Sequence, residues 1–150
     1  MQLNIKKLNK FCYEKVNDYF VFDEKIKKLK DQLETSNSRD INSSIQSKNK
    51  VNRSVENEVI KKIVIENKIN EIILWRDIVE QVLNQCKKTS KYKYEYYIER
   101  FMNRKTDYII QAEMLMSPNT QSNYKKELVL QISLLGISKN LIIVNDFIDE

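Results

Sequence analysis

"MLMSPNTQSNYKKEL", residues 114–128, holds the single proline of a 150-residue chain, and a serine stands directly before it. Serine at an N-cap followed by proline at the first helical position is a strong helix-start signal. The hydroxyl accepts a backbone N–H of the first turn, and proline lacks the N–H that would otherwise be orphaned. Ser117-Pro118 therefore predicts a helix that runs through "NTQSNYKKELVLQISLLG" to Gly136, where glycine suits a left-handed C-cap. Upstream, "TDYIIQAEML" reads as a short helix with Ile110 and Met114 inward, four residues apart. Tyr124, Leu128 and Ile132 repeat that spacing in the second helix. Two such helices across a tight turn have the outline of a helix-turn-helix, whose second helix enters the DNA major groove.

On that outline the outward face carries Asn119, Ser122, Asn123 and Lys126, with Gln121 and Lys125 on its flank. Asn and Gln can bind adenine edges bidentately, Lys reaches guanine or phosphate, and Ser approaches either. The helix N-terminus adds partial positive charge for a phosphate. Arg100, Arg104 and Lys105, just before the motif, are placed to hold the DNA backbone. The bland reading stands beside this one, because a polar helix face is also what any solvated bundle helix shows.

Composition points the same way on fold. With 41% hydrophobic residues but one glycine and one proline, the chain has a core and lacks the turn residues that sheets need, so an all-α fold is expected. The absence of histidine removes the commonest general base and zinc ligand. A lone glycine excludes a glycine-rich phosphate loop. Acid pairs such as Asp77 and Glu80 have no nucleophile or metal cluster beside them, so no catalytic residue, metal or cofactor is expected and the chain reads as a non-enzyme. Cys12 and Cys86 sit among apolar residues and read as buried reduced thiols, a disulfide being the alternative. "MQLNIKKLNK" is broken by lysines and no run reaches the roughly 20 apolar residues of a membrane span, so the expectation is a cytoplasmic protein with no membrane partner. The formal net charge of +5 is compatible with a polyanionic partner.

Four segments follow from the patterning. Residues 1–34 read as an N-terminal helical arm, with a phase slip at "YFVFDEK" where Asp23 is placed to cap a restarted helix. Residues 35–57, "TSNSRDINSSIQSKNKVNRSVEN", are dense in Ser and Asn and read as a polar connector, disordered or ordered only against a partner. Residues 58–136 hold a long helix, its start marked by Ser54, and then the helix-turn-helix. Its apolar stripe is wider than a two-stranded seam, which suits a bundle or a homodimer through this central helix, and Trp75 is its expected core anchor. Residues 137–150 read as a tail, a weak helix or a strand.

Three stretches resemble the RinA/ArpU-type activators of late transcription in phages of low-GC Gram-positive bacteria. They are "DYFVFDEKIKKLKDQLE", "RDINSSIQSKNKVNRSVENEVIKK" and "YYIERFMNRKTDYIIQAEMLMSPNTQSNYKKEL", the last similar to the region-4 module of sigma factors. In it, Ser117-Pro118-x-Thr120 opens the recognition helix. The resemblance implies a host-cytoplasmic transcription activator that binds promoter DNA through its C-terminal module and recruits RNA polymerase. Departures are visible at Gln111, where such units carry a small residue, at Leu115, where they carry glycine, and at Gln121, where they carry an apolar residue. The usual row of arginines is reduced to Lys125 and Lys126, which implies weaker and less salt-sensitive binding.

Two other function classes fit the same residues. A phage small terminase subunit, or other DNA-packaging protein, also pairs a helix-turn-helix with an oligomerising helix. A protein-binding helical module would use the Lys/Tyr segment 87–97 as its contact surface, with tyrosines as anchors.

Overall fold

Helices form because almost nothing in the chain stops them, and the boundaries fall where a cap or a left-handed residue intervenes. The computed structural model describes the backbone of residues 2–43 and 48–149 and the side chains of 2–35 and 55–149. Its helices, 84% of the structure, are α1 (Ile5–Tyr19), α2 (Phe22–Ser43), α3 (Lys48–Thr89), α4 (Lys91–Tyr97), α5 (Asp107–Met114) and α6 (Pro118–Ser138). A π-helical turn, Ile98–Met102, continues α4, and a 3₁₀ turn, Val144–Phe147, precedes a two-residue strand. That strand, β2 (Ile148–Asp149), pairs antiparallel with β1 (Gln2–Leu3). The all-α expectation holds.

The chain divides into two units, one of residues 1–20 with 75–150 and one of residues 21–74. In the first, α1 is a core element and not part of an arm. The Cys12 thiol meets the Ser133 hydroxyl of α6 at 3.4 Å, Phe11 packs edge-on to Trp75 and to Phe147, and Tyr13 stacks on Phe101. Each such aromatic contact adds about 0.5–1.5 kcal/mol beyond area burial. Trp75 is buried as expected, with Ile78, Val79, Ile110, Leu128 and Ile132. The expected tail 137–150 also belongs here, since Ile142 and Phe147 are buried and Lys7 Nζ donates to the Asp146 carbonyl at 2.7 Å.

The break expected at "YFVFDEK" falls between Tyr19 and Phe22, and Asp23 lies inside the first turn of α2 with Glu24, past the N-cap position, where both complement the helix dipole. The connector expected at 35–57 is helical on both sides, as α2 continues to Ser43 and α3 starts at Lys48, six residues before Ser54. Ser and Asn lower helix propensity by well under 1 kcal/mol each, and the stretch contains no glycine or proline to stop a helix. Residues 44–47, at the centre of that connector, lie outside the described residues.

Gly136 does not cap α6. It lies inside the helix, and the left-handed residue that follows is Asn140, φ 59°. Glycine is needed there for space, because a Cβ would stand 2.7 Å from Ile142 Cδ1 and 3.0 Å from Trp75 Cη2.

Candidate nucleic-acid interface

The three residues between α5 and α6 set the geometry of the candidate site. Thr106 caps α5, its hydroxyl accepting the Ile109 N–H. Leu115 ends α5 in the left-handed region, φ 53° and ψ 45°, which costs a non-glycine residue about 1–2 kcal/mol. Met116 then turns into the core, and Ser117 caps α6 by accepting the Thr120 N–H at 3.2 Å, with Pro118 at the first helical position. Tyr92 donates to the Met114 carbonyl at 2.9 Å and Tyr97 to the Tyr124 carbonyl, so α4 holds the end of α5 and the second turn of α6. Burial pushes the Tyr96 and Tyr97 phenols far above their ordinary pKa, which keeps them neutral donors.

Asn119, Ser122, Asn123 and Lys126 are all exposed on one face of α6, and Thr120 is half-buried with its hydroxyl 2.8 Å from that of Ser117. Gln121 is not on the flank. It is 3% exposed, accepts from Gln111 Nε2 at 2.8 Å and donates to the Asp107 carbonyl at 3.0 Å. The physical reason is pairwise. A buried amide needs partners, and Gln111 on α5 supplies a donor to the Gln121 oxygen that a small residue could not. Two departures from the usual helix-turn-helix pattern, Gln111 and Gln121, are thus one interaction, and the buried Gln121 turns both its polar atoms towards α5, away from the exposed face.

The cations also differ from expectation. Lys125 is half-buried and ion-paired to Asp107, and Arg100 Nε lies 3.3 Å from the same carboxylate. Tyr96 donates a third contact to it at 2.9 Å. Burial opposes ionisation of Asp107, but the bonds from Lys125 and Tyr96 outweigh it and hold the carboxyl below the ordinary range. Lys105 bridges Glu99 and Glu113, the latter at 2.7 Å, which raises its pKa and lowers that of Glu99. Three of the five expected phosphate contacts, Arg100, Lys105 and Lys125, are therefore neutralised by acids. Arg104, in the left-handed region at φ 55°, and Lys126 are exposed and have no acidic partner among the described residues. Glu99 and Glu113 carry no local signal in the sequence that marks them as partners of these cations. Asp107 carried a signal, in the first turn of a helix after a capping threonine, but its cationic partners come from separate elements.

The tyrosines of segment 87–97 largely serve the interior, since Tyr96 and Tyr97 are buried and Tyr92 holds the turn. Both cysteines are free and buried, and burial raises the pKa of each. Among the described residues there is no cluster of potential metal ligands and no helix long and apolar enough to cross a membrane.

The class that the fold defines is all-α, with two short-linked helices presenting a polar face. No protein-family model, no curated protein and no solved structure matches the chain.

Proposed function

We propose that the protein is a sequence-specific DNA-binding transcription regulator that reads the major groove with the first half of α6. The observation that carries this reading is the Ser117-capped helix, held behind a tight turn, with Asn119, Ser122, Asn123 and Lys126 exposed together. Their amides, hydroxyl and ammonium match base-edge chemistry. The resemblance to RinA/ArpU-type activators supports an activator of phage late genes acting with RNA polymerase. Of the five expected phosphate contacts, Arg104 and Lys126 are those without an acidic partner among the described residues, so the salt slope, at roughly −0.9 per phosphate contacted, is expected near −2. Gln121, Lys125, Arg100 and Lys105 position the module in this reading and do not touch bases. The test is fluorescence anisotropy with duplexes recovered by genomic-fragment selection. Lys126→Glu and Arg104→Glu are expected to weaken binding, and Asn119→Ala to relax its sequence preference. Unchanged affinity in Lys126→Glu, or no duplex retained at low salt, would exclude this surface.

A further inference from the structure

An open groove on the outside of the first unit is unrelated to the polar face of α6. Gln81, Val82 and Gln85 of α3 and Gln131, Leu134 and Leu135 of α6 line it. Val82 is its buried floor, while Leu134 stands 58% exposed. Apolar side chains left in water beside such a floor mark an interaction surface. At 3.6 residues per turn the groove lies about a third of a turn around α6 from the Asn119–Lys126 face.

The charges around it identify the occupant. The groove lining holds no charged residue, although 31% of the chain is charged. At the two ends of its α3 edge stand Asp77 and Lys88, both exposed and three turns apart on one side of the helix. Between them lie Gln81 and Gln85, whose amides both donate and accept. In a two-fold pair the same patch meets itself, so residue i of one copy contacts j of the other and the reverse. The order acid, amide, amide, base is complementary to its own antiparallel copy. Asp77 of each chain then meets Lys88 of the other, the amides face amides, and Leu134 is covered on both sides. A uniformly acidic or basic partner would find one attractive end and one repulsive end.

We propose that this groove is the contact surface of an antiparallel homodimer built from α3 and α6 of two copies. The dimer does not depend on DNA binding, and it places self-association on the second half of α3 with α6. Sedimentation velocity and light scattering on the full chain, over a micromolar to millimolar series, test it. Reversible dimerisation is expected, and Leu134→Glu should weaken it by about tenfold or more, since it puts a carboxylate in the apolar contact. Asp77→Lys and Lys88→Asp should each weaken it by a few fold, and the double swap should restore it, with circular dichroism of each variant checking that the fold is kept at these exposed positions. A monomer at every concentration overturns the proposal and leaves the groove to a different protein. So does a dimer indifferent to Leu134→Glu, or a double swap no tighter than either single variant.

Discussion

The amide pair between α5 and α6 lends itself to a thermodynamic cycle. Removing the Gln111 side chain leaves Gln121 Oε1, inside a residue only 3% exposed, without its donor. A buried acceptor stripped of its partner costs about 1–3 kcal/mol, so Gln111→Ala should lower stability by about 2 kcal/mol. Replacing Gln121 by leucine forfeits two neutral hydrogen bonds, about 1 kcal/mol each. Burying the slightly shorter apolar side chain returns about 1.5–3 kcal/mol. Gln121→Leu should therefore lie within about 1 kcal/mol of the parent. With leucine in place, Gln111→Ala has no buried acceptor to strand and should cost no more than about 0.5 kcal/mol, as at an ordinary surface site. The expected coupling is about 1.5 kcal/mol. Urea titration followed by the fluorescence of Trp75, the single tryptophan and in the same unit, reads it directly. At this chain length about 1 kcal/mol moves Tm by roughly 2–4 °C, which offers a second readout. Equal costs of Gln111→Ala in both backgrounds, with coupling under about 0.5 kcal/mol, would refute the view that the two glutamines compensate for each other.

Three further outcomes are expected. Asp107 has a depressed pKa in the fold, so its contribution is complete above its ordinary value of about 3.8 and is lost as pH falls through the lower folded value. Urea midpoints of Asp107→Asn should accordingly fall less steeply below about pH 4 than those of the parent, and parallel curves would remove Asp107 from the acid transition. Gly136→Ala should destabilise by about 1 kcal/mol, overpacking against Ile142 outweighing the helix propensity of alanine, and Ile142→Val should relieve it. Leu115→Gly should raise the urea midpoint by up to about 1 kcal/mol in stability, because Leu115 is 90% exposed and has no burial to lose, whereas Leu115→Ala keeps the Cβ and should change nothing.

Local chemistry was legible in the sequence, and tertiary pairing was not. Ser117-Pro118 announces the start of α6 because capping involves only neighbours, and Ile110, Leu128 and Ile132 announce their burial through spacing. Gln121 reads as surface because its partner, Gln111, belongs to another helix and no period reports on that match. The same holds for Lys125, Arg100 and Lys105, whose acids are 18, 7, 6 and 8 residues away in Asp107, Asp107, Glu99 and Glu113. Gly136 carries two meanings in a sequence, a left-handed cap or a close contact, and only Ile142 and Trp75 distinguish them. The Ser/Asn run misleads for a different reason. Its residues favour turns as a preference, whereas glycine and proline enforce them, and the run has neither.

The π turn at Ile98–Met102 makes chain length itself part of the design of this region. Its Asn103 N–H reaches back five residues, to the Ile98 carbonyl, so the turn holds one residue more than an α-helical turn would. An extra residue absorbed in this way acts as a phase shift of about 100° between what lies before it and what lies after. Tyr96, Tyr97 and Phe101 are all buried, and the offset sets the direction in which the chain leaves them for α5. Deleting a single residue from 98–102 would restore a regular helix and still be ruinous, since it would rotate the tyrosines away from Asp107 and Tyr124. Substitutions here are a matter of packing, but insertions and deletions are a matter of angle.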